Sequence, residues 1–198
     1  MRKIVVIEHV TLDGVMQAPG TPDEDVRDGF EHGGWAQPGN DAVMGGEMAK
    51  GMGGAELLFG RRTYEQFFAF WPAQPEPNPF TEVLDKTQKY VASTTLTEPL
   101  PWVNSTLLAG DAVKAVAELK EQPGKDLAIL GSGELVRSLM GQDLVDVYKL
   151  LIHPLVLGSG RRLFPDAGPP AGLRLTHSVT TTTGVVIATY RPAASVDA

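Results

Sequence analysis

Residues 57 to 72 read LLFGRRTYEQFFAFWP. Glu56 to Phe59 has the length and apolar character of a short buried strand, and a Gly-Arg-Arg turn follows it. Thr63 stands where it can cap a helix that runs through Phe70 and ends at Trp71-Pro72, since a residue before proline is driven out of helical geometry. The same order of strand, glycine turn and helix recurs at ILGSGELVRSLM, residues 129 to 140.

On the N-terminal side, Ile4 to Val10 is β-branched and apolar nearly throughout, as expected of a strand covered on both faces. Thr11 to Pro38 is long, irregular and rich in Gly, Asp and Pro, the kind of segment that carries binding groups. Met44, Met48 and Met52 recur at helical spacing and read as core, although the glycines among them oppose a helix. On the C-terminal side, PAQPEPNP (72–79) reads as a proline-rich surface loop. Next come a helix over 80–86 and strands at 89–92 and 106–108. Asp111 is a suitable cap for a helix that Pro123-Gly124 stops, and the 127–130 strand follows it. The remaining elements are a helix over 134–140 and strands at 144–152, 173–179 and 185–190, with a frayed tail after Pro192.

Strands alternating with helices and ending in consecutive strands predict a three-layer α/β/α fold. Its sheet is mainly parallel, with antiparallel strands added at the C-terminal end. The 198-residue length favours one domain, 1–191, with 192–198 as a flexible tail. Ligands of such sheets bind beyond the carboxyl ends of the strands. Three turns are expected there: Gly60 to Thr63, Ser93 to Thr95 and Gly131 to Gly133.

Composition narrows the function. With 24 acidic against 17 basic residues the formal charge is −7 and the pI about 5.1, so the overall field opposes nucleic acid and anionic membranes. The chain has no cysteine, which excludes disulfides, thiolate metal sites and a thiol nucleophile. The apolar run after Arg2-Lys3 is interrupted at Glu8, too short for a signal peptide or membrane span, so a cytoplasmic protein is expected. His9, His32, His153 and His177 are dispersed with no paired ligand spacing, so each reads as structural and no metal is expected.

Gly131-Ser132-Gly133 by itself is equally a phosphate cradle and a plain bend. The dinucleotide fingerprint fails at Val136, and no Gly-Lys-Ser/Thr follows. Gly60-Arg61-Arg62-Thr63 is more specific, because guanidinium groups grip phosphate bidentately. Taken alone, those arginines also read as solvated charges. Two such turns on one sheet edge suit a ligand with separated phosphates.

LLFGRRTYEQFFAFWP, KYVASTTL (89–96), ILGSGELV and LLIHPLVLGSGRRLF (150–164), together with TLDGVMQAP (11–19), resemble the dihydrofolate-reductase-like family that contains the RibD C-terminal reductase domain. The motifs follow the family's order over nearly the whole chain. The resemblance implies an NADPH site in which Gly60, Arg61, Arg62 and Thr63 lie near the adenosine phosphate and pyrophosphate. Ser93 and Thr94 would lie on the adenosine side, and Gly131, Ser132, Gly133, Glu134 and Leu135 beneath the pyrophosphate. Relatives often carry Arg at the position of Thr94, which leaves the 2′-phosphate to Arg61 or Arg62.

Thr11, Asp13 and Trp35 are the expected substrate pocket, with Phe30 as a further wall and Asp13 orienting or protonating the substrate. Asp13 is equally an ordinary Asp-Gly turn residue. The folate-binding acid of true dihydrofolate reductases has no clear match among Asp23, Glu24, Asp25 and Asp28. Arg161-Arg162 either holds a substrate phosphate or, the favoured reading, faces water. No deaminase zinc signature is present.

The implied activity is NADPH-dependent reduction of a pteridine-like or aminopyrimidine-like heterocycle, as by 5-amino-6-(5-phosphoribosylamino)uracil reductase in riboflavin biosynthesis. The resemblance also implies a homodimer. The alternative is a non-catalytic NADP(H)-binding module or regulator.

Overall fold

A computed structural model describes residues 1–75, 78–164 and 170–193. The strands are β1 (Ile4–Thr11), β2 (Glu56–Gly60), β3 (Lys89–Ser93), β4 (Ser105–Ala109), β5 (Leu127–Leu130), β6 (Val147–His153), β7 (Leu173–Thr180) and β8 (Val186–Pro192). The helices are α1 (Ala42–Met52), α2 (Arg61–Phe70), α3 (Pro79–Lys86), α4 (Ala112–Glu121) and α5 (Gly133–Met140). The strands form one mixed sheet in the order β4-β3-β2-β5-β1-β6-β8-β7, parallel apart from the C-terminal strands, as expected from sequence. Residues 76, 77 and 194–198, which belong to the proline-rich loop and the expected tail, lie outside the described residues.

The chain divides into two compact units, Met1–Ile4 with Gly54–Leu144, and Val5–Gly53 with Val145–Ala198. In the first, β3 lies parallel to both β4 and β2, and β2 lies parallel to β5. Three turns therefore leave neighbouring strands at the same edge, after Gly60, Ser93 and Leu130. Leu58, Phe59, Val91, Ala128 and Ile129 are fully buried beneath them. Each large apolar side chain so buried contributes about 1.5–3 kcal/mol. Helix α2 is fastened by Tyr64, 1% exposed, whose hydroxyl accepts a bond from Trp102 N at 3.0 Å. Helix α5 buries Leu135, Val136 and Leu139.

In the second unit β1 pairs in parallel with β6, placing Ile7 opposite Lys149 and Thr11 opposite His153. Strands β8 and β7 continue the sheet antiparallel. Helix α1 forms in spite of its glycines. Asp41 caps it by accepting from Met44 N at 2.8 Å, and Met44 is 2% exposed. The glycine at 51 has a packing reason, since a Cβ there would lie 3.0 Å from Ile7 Cδ1 and 3.4 Å from the Lys149 side chain. Lys149 Nζ in turn donates to Glu47 O at 2.9 Å and to its carboxylate at 3.2 Å.

Two local expectations are corrected. Thr63 is not the cap of α2; Gly60 occupies that place, so Thr63 falls inside the first turn. The 144–152 strand begins later, at Val147, because Leu144 N bonds back to Leu139 O at 3.1 Å beyond a left-handed Asp143 (φ 54°) and so closes α5.

Candidate functional site

Three helix starts carry side-chain caps: Asp41 on α1, Asn78 on α3 and Asp111 on α4. Helices α2 and α5 have none. Their first-turn N–H groups therefore lack the acceptor that a cap supplies, at ends that also carry the positive pole of the helix dipole. The two starts meet. Gly60 N donates to Ser132 Oγ at 2.9 Å, and a Cβ on Gly131 would lie 3.3 Å from Thr63 Cγ2. Gly131 and Ser132 both hold left-handed φ values of 65°. That conformation costs a non-glycine residue about 1–3 kcal/mol, and such strain concentrates at functional sites.

The structure thus brings together Gly60, Thr63, Gly131, Ser132, Gly133 and Leu135. Ser132, having accepted from Gly60, retains its hydroxyl proton for donation. Leu135 is buried and can offer only its backbone. Glu134 is exposed, and its acid in the first turn of α5 would repel a phosphate, so its contribution is also limited to N–H. Arg61 is bonded along its own helix to Glu65 at 2.9 Å, a surface pair worth about 0.3–0.5 kcal/mol and easily exchanged. Arg62 and Thr94 are exposed. Ser93 Oγ accepts from Thr95 N at 3.1 Å and Leu96 N at 3.0 Å, shaping the turn after β3.

The expected substrate residues lie in the second unit, and most of their polar groups are spent on structure. Thr11, 2% exposed, donates to Asp13 Oδ1 at 2.6 Å and accepts from Val15 N at 2.9 Å. Asp13 also accepts from Leu157 N at 3.2 Å and Gly158 N at 2.8 Å. The Thr11 hydroxyl and then these amides hold its carboxyl below the usual range, which suits an ionised anchor and not a proton donor. Trp35 donates to Gln17 O at 2.7 Å and sets its ring edge-on to His153 at 5.2 Å.

Phe30 packs with Val15 and Ala18, and it also lines a cleft of about 250 Å³ beside Arg27, Asp28 and Arg161. The arginines at 161 and 162 do not simply face water. Arg161 pairs with Asp28 at 2.9 Å, and Arg162 Nε donates to Asp13 O at 2.9 Å.

The histidines are dispersed in the sequence, yet His9 and His153 meet, with Nδ1 of His9 2.9 Å from Nε2 of His153. Both lie on one face of adjacent parallel strands, a proximity visible only once β1 is known to pair with β6 in this register. Burial lowers His9 to about 3, helped by His153, and lowers His153 to about 4, so both rings are neutral near pH 7. Glu8, on the opposite face of β1, is 2% exposed; burial first and then Glu24 push its carboxyl well above the usual range.

The sheet order, the glycine turns after β2 and β5 and the C-terminal antiparallel strands define a dihydrofolate-reductase-like α/β protein. The chain belongs to the RibD C-terminal domain family, whose profile matches residues 2–187. It is 31% identical over 138 residues to the Bacillus subtilis protein YyaP, covering 68% of this chain and 72% of that one. Among solved structures, a putative riboflavin biosynthesis protein from Shewanella sp. PV-4 is similar with a TM-score of 0.67 at 20% identity, covering 98% of this chain and 100% of that one. Dihydrofolate reductase from Enterococcus faecalis, complexed with NADP(H), is similar with a TM-score of 0.58 at 14% identity, covering 96% of each chain. Family membership supports a reductase-like function. No helix among the described residues is long and apolar enough to cross a membrane.

Proposed function

We propose that this protein is an NADPH-dependent reductase of a pteridine-like or aminopyrimidine-like heterocycle, resembling 5-amino-6-(5-phosphoribosylamino)uracil reductase. The supporting observation is the pair of uncapped helix starts, α2 and α5, joined through Gly60 and Ser132. Their amides, with Gly131 held where a side chain would crowd Thr63, fit a pyrophosphate. Gly60, Thr63 and residues 131–135 would hold it, Ser93 and Thr94 would border the adenosine, and Arg61 and Arg62 would take the 2′-phosphate. The complexed NADP(H) of the Enterococcus faecalis structure supports this choice of dinucleotide.

A bound nicotinamide supplies the hydride. The chain's own part is to position the heterocycle and exclude water. Trp35 walls the substrate pocket, while Thr11 and Asp13 orient it by fixing the Leu157–Gly158 turn. In this reading residues 1–191 act as one functional domain, cytoplasmic, with a homodimer as the working assembly. NADPH oxidation with 5-amino-6-(5-phosphoribosylamino)uracil and with dihydrofolate tests the proposal. Turnover on either supports it; tight NADPH binding with no oxidation across a wider heterocycle panel would favour a regulator that retains the cofactor cleft.

A further inference from the structure

The rings of His9 and His153 form a built arrangement that the polar residues around it do not consume. His153 is 1% exposed and is fixed from two sides. Trp35 meets it edge-on at 5.2 Å, and Gly39 lies so close that a Cβ there would come within 2.7 Å of its Cε1 and Nδ1. The Gly39 backbone is itself anchored, its carbonyl accepting from Thr183 Oγ1 at 2.7 Å. His153 Nε2 then engages His9 Nδ1 at 2.9 Å, with the ring centroids 5.1 Å apart. His9 is partly exposed. Its remaining nitrogen, Nε2, makes no hydrogen bond among the described residues.

The tautomer follows from where a proton can be satisfied. His153 is 1% exposed and its Nδ1 makes no hydrogen bond among the described residues, whereas His9 is partly exposed, so the N–H left outside the pair is better solvated on His9 than on His153. The proton of His153 therefore belongs on Nε2, donated to His9 Nδ1. That leaves the proton of His9 on Nε2, directed away from His153 and able to donate. A neutral imidazole in this state presents an N–H without introducing a charge, which suits an uncharged acceptor such as a ring carbonyl.

We propose that His9 is a substrate-contact residue whose Nε2–H donates to a carbonyl oxygen of the heterocycle, and that His153 is the positioning residue that fixes its tautomer and ring angle. The proposal rests on the reductase reading and narrows its substrate class to heterocycles with a carbonyl edge, as in a uracil-type ring. It also supplies the pocket contact that Thr11 and Asp13, committed to their turn, do not offer.

The test is long-range nitrogen NMR of the imidazoles of the NADPH-loaded protein during titration with 5,6-diaminouracil. The four histidines are few enough to assign by single substitution. NADPH is titrated first, and failure to bind it defeats the reductase reading by itself. The ligand-free spectrum is expected to show His9 protonated on Nε2, and His153→Phe is expected to release it to a tautomer mixture that His153→Gln, which keeps a donor, partly restores. On titration, His9 Nε2 is expected to shift while His32 and His177 do not. His9→Ala should weaken 5,6-diaminouracil by about 10-fold, with NADPH affinity unchanged. With NADPH bound, a His9 resonance unmoved throughout the titration, or a His9 protonated on Nδ1 in the ligand-free protein, overturns the proposal.

Discussion

The five α-helices among the described residues start in two different ways, and the difference locates the proposed chemistry. Helices α1, α3 and α4 are closed by Asp41, Asn78 and Asp111, whose side chains take up first-turn amides. Helices α2 and α5 begin on Gly60 and on a left-handed Ser132 with no such acceptor. A cap stabilises a helix by roughly 1 kcal/mol. Two starts that forgo it follow the adjacent strands β2 and β5, and there the phosphate site is proposed.

The largest effect is expected from filling the uncapped pair. Gly131→Val puts a β-branched side chain at φ 65° against Thr63, and NADPH affinity should fall by roughly 100-fold in calorimetry. A variant that binds NADPH as the parent does would show that the cradle is only a bend. Removing the cations sharpens the contrast further. Arg61→Ala with Arg62→Ala should weaken NADPH about 10-fold while leaving NADH within about 2-fold, since one charged phosphate contact is lost and only one cofactor carries that phosphate. Equal losses for both would count against their role. On the capped side, Asp111→Ala should lower stability by about 1 kcal/mol, or about 2–4 °C in melting temperature, with NADPH affinity unchanged.

The smallest effect concerns pH. Glu8 has a folded pKa raised above its unfolded value, so its stabilising contribution is complete below the unfolded pKa and is lost as pH rises toward the folded one. His9 and His153 act in the opposite sense; their folded values are depressed, so stability is lost as pH falls from about 6.5 toward about 4 and 3. Glu8→Gln should therefore flatten the fall in melting temperature as pH rises above about 4.5 and leave the loss below that pH intact. A parallel profile for parent and variant would remove Glu8 from the balance.

Much of this was legible in the residue order. The alternation of elements, the Asp111 cap and the glycine turns after residues 59 and 130 follow from local chemistry, and the structure places them as expected. What escaped was non-local. Helix α1 reads as weak until the packing of Gly51 on Ile7 supplies its reason. Thr63 looks like a cap because threonine prefers that position, but the chain enters α2 earlier, on Gly60. Asp13 looks free until the 157–158 amides, 144 and 145 residues away, are seen to occupy it. The His9–His153 contact has no signal in either local sequence, because it depends on strand register alone.

Calorimetric titration of folded, cofactor-free protein with NADPH and then NADH addresses the uncapped pair most directly. Saturable NADPH binding, tighter than NADH and abolished by Gly131→Val, is the expected result; no heat from either dinucleotide would contradict a phosphate site at α2 and α5 and the reductase function built on it.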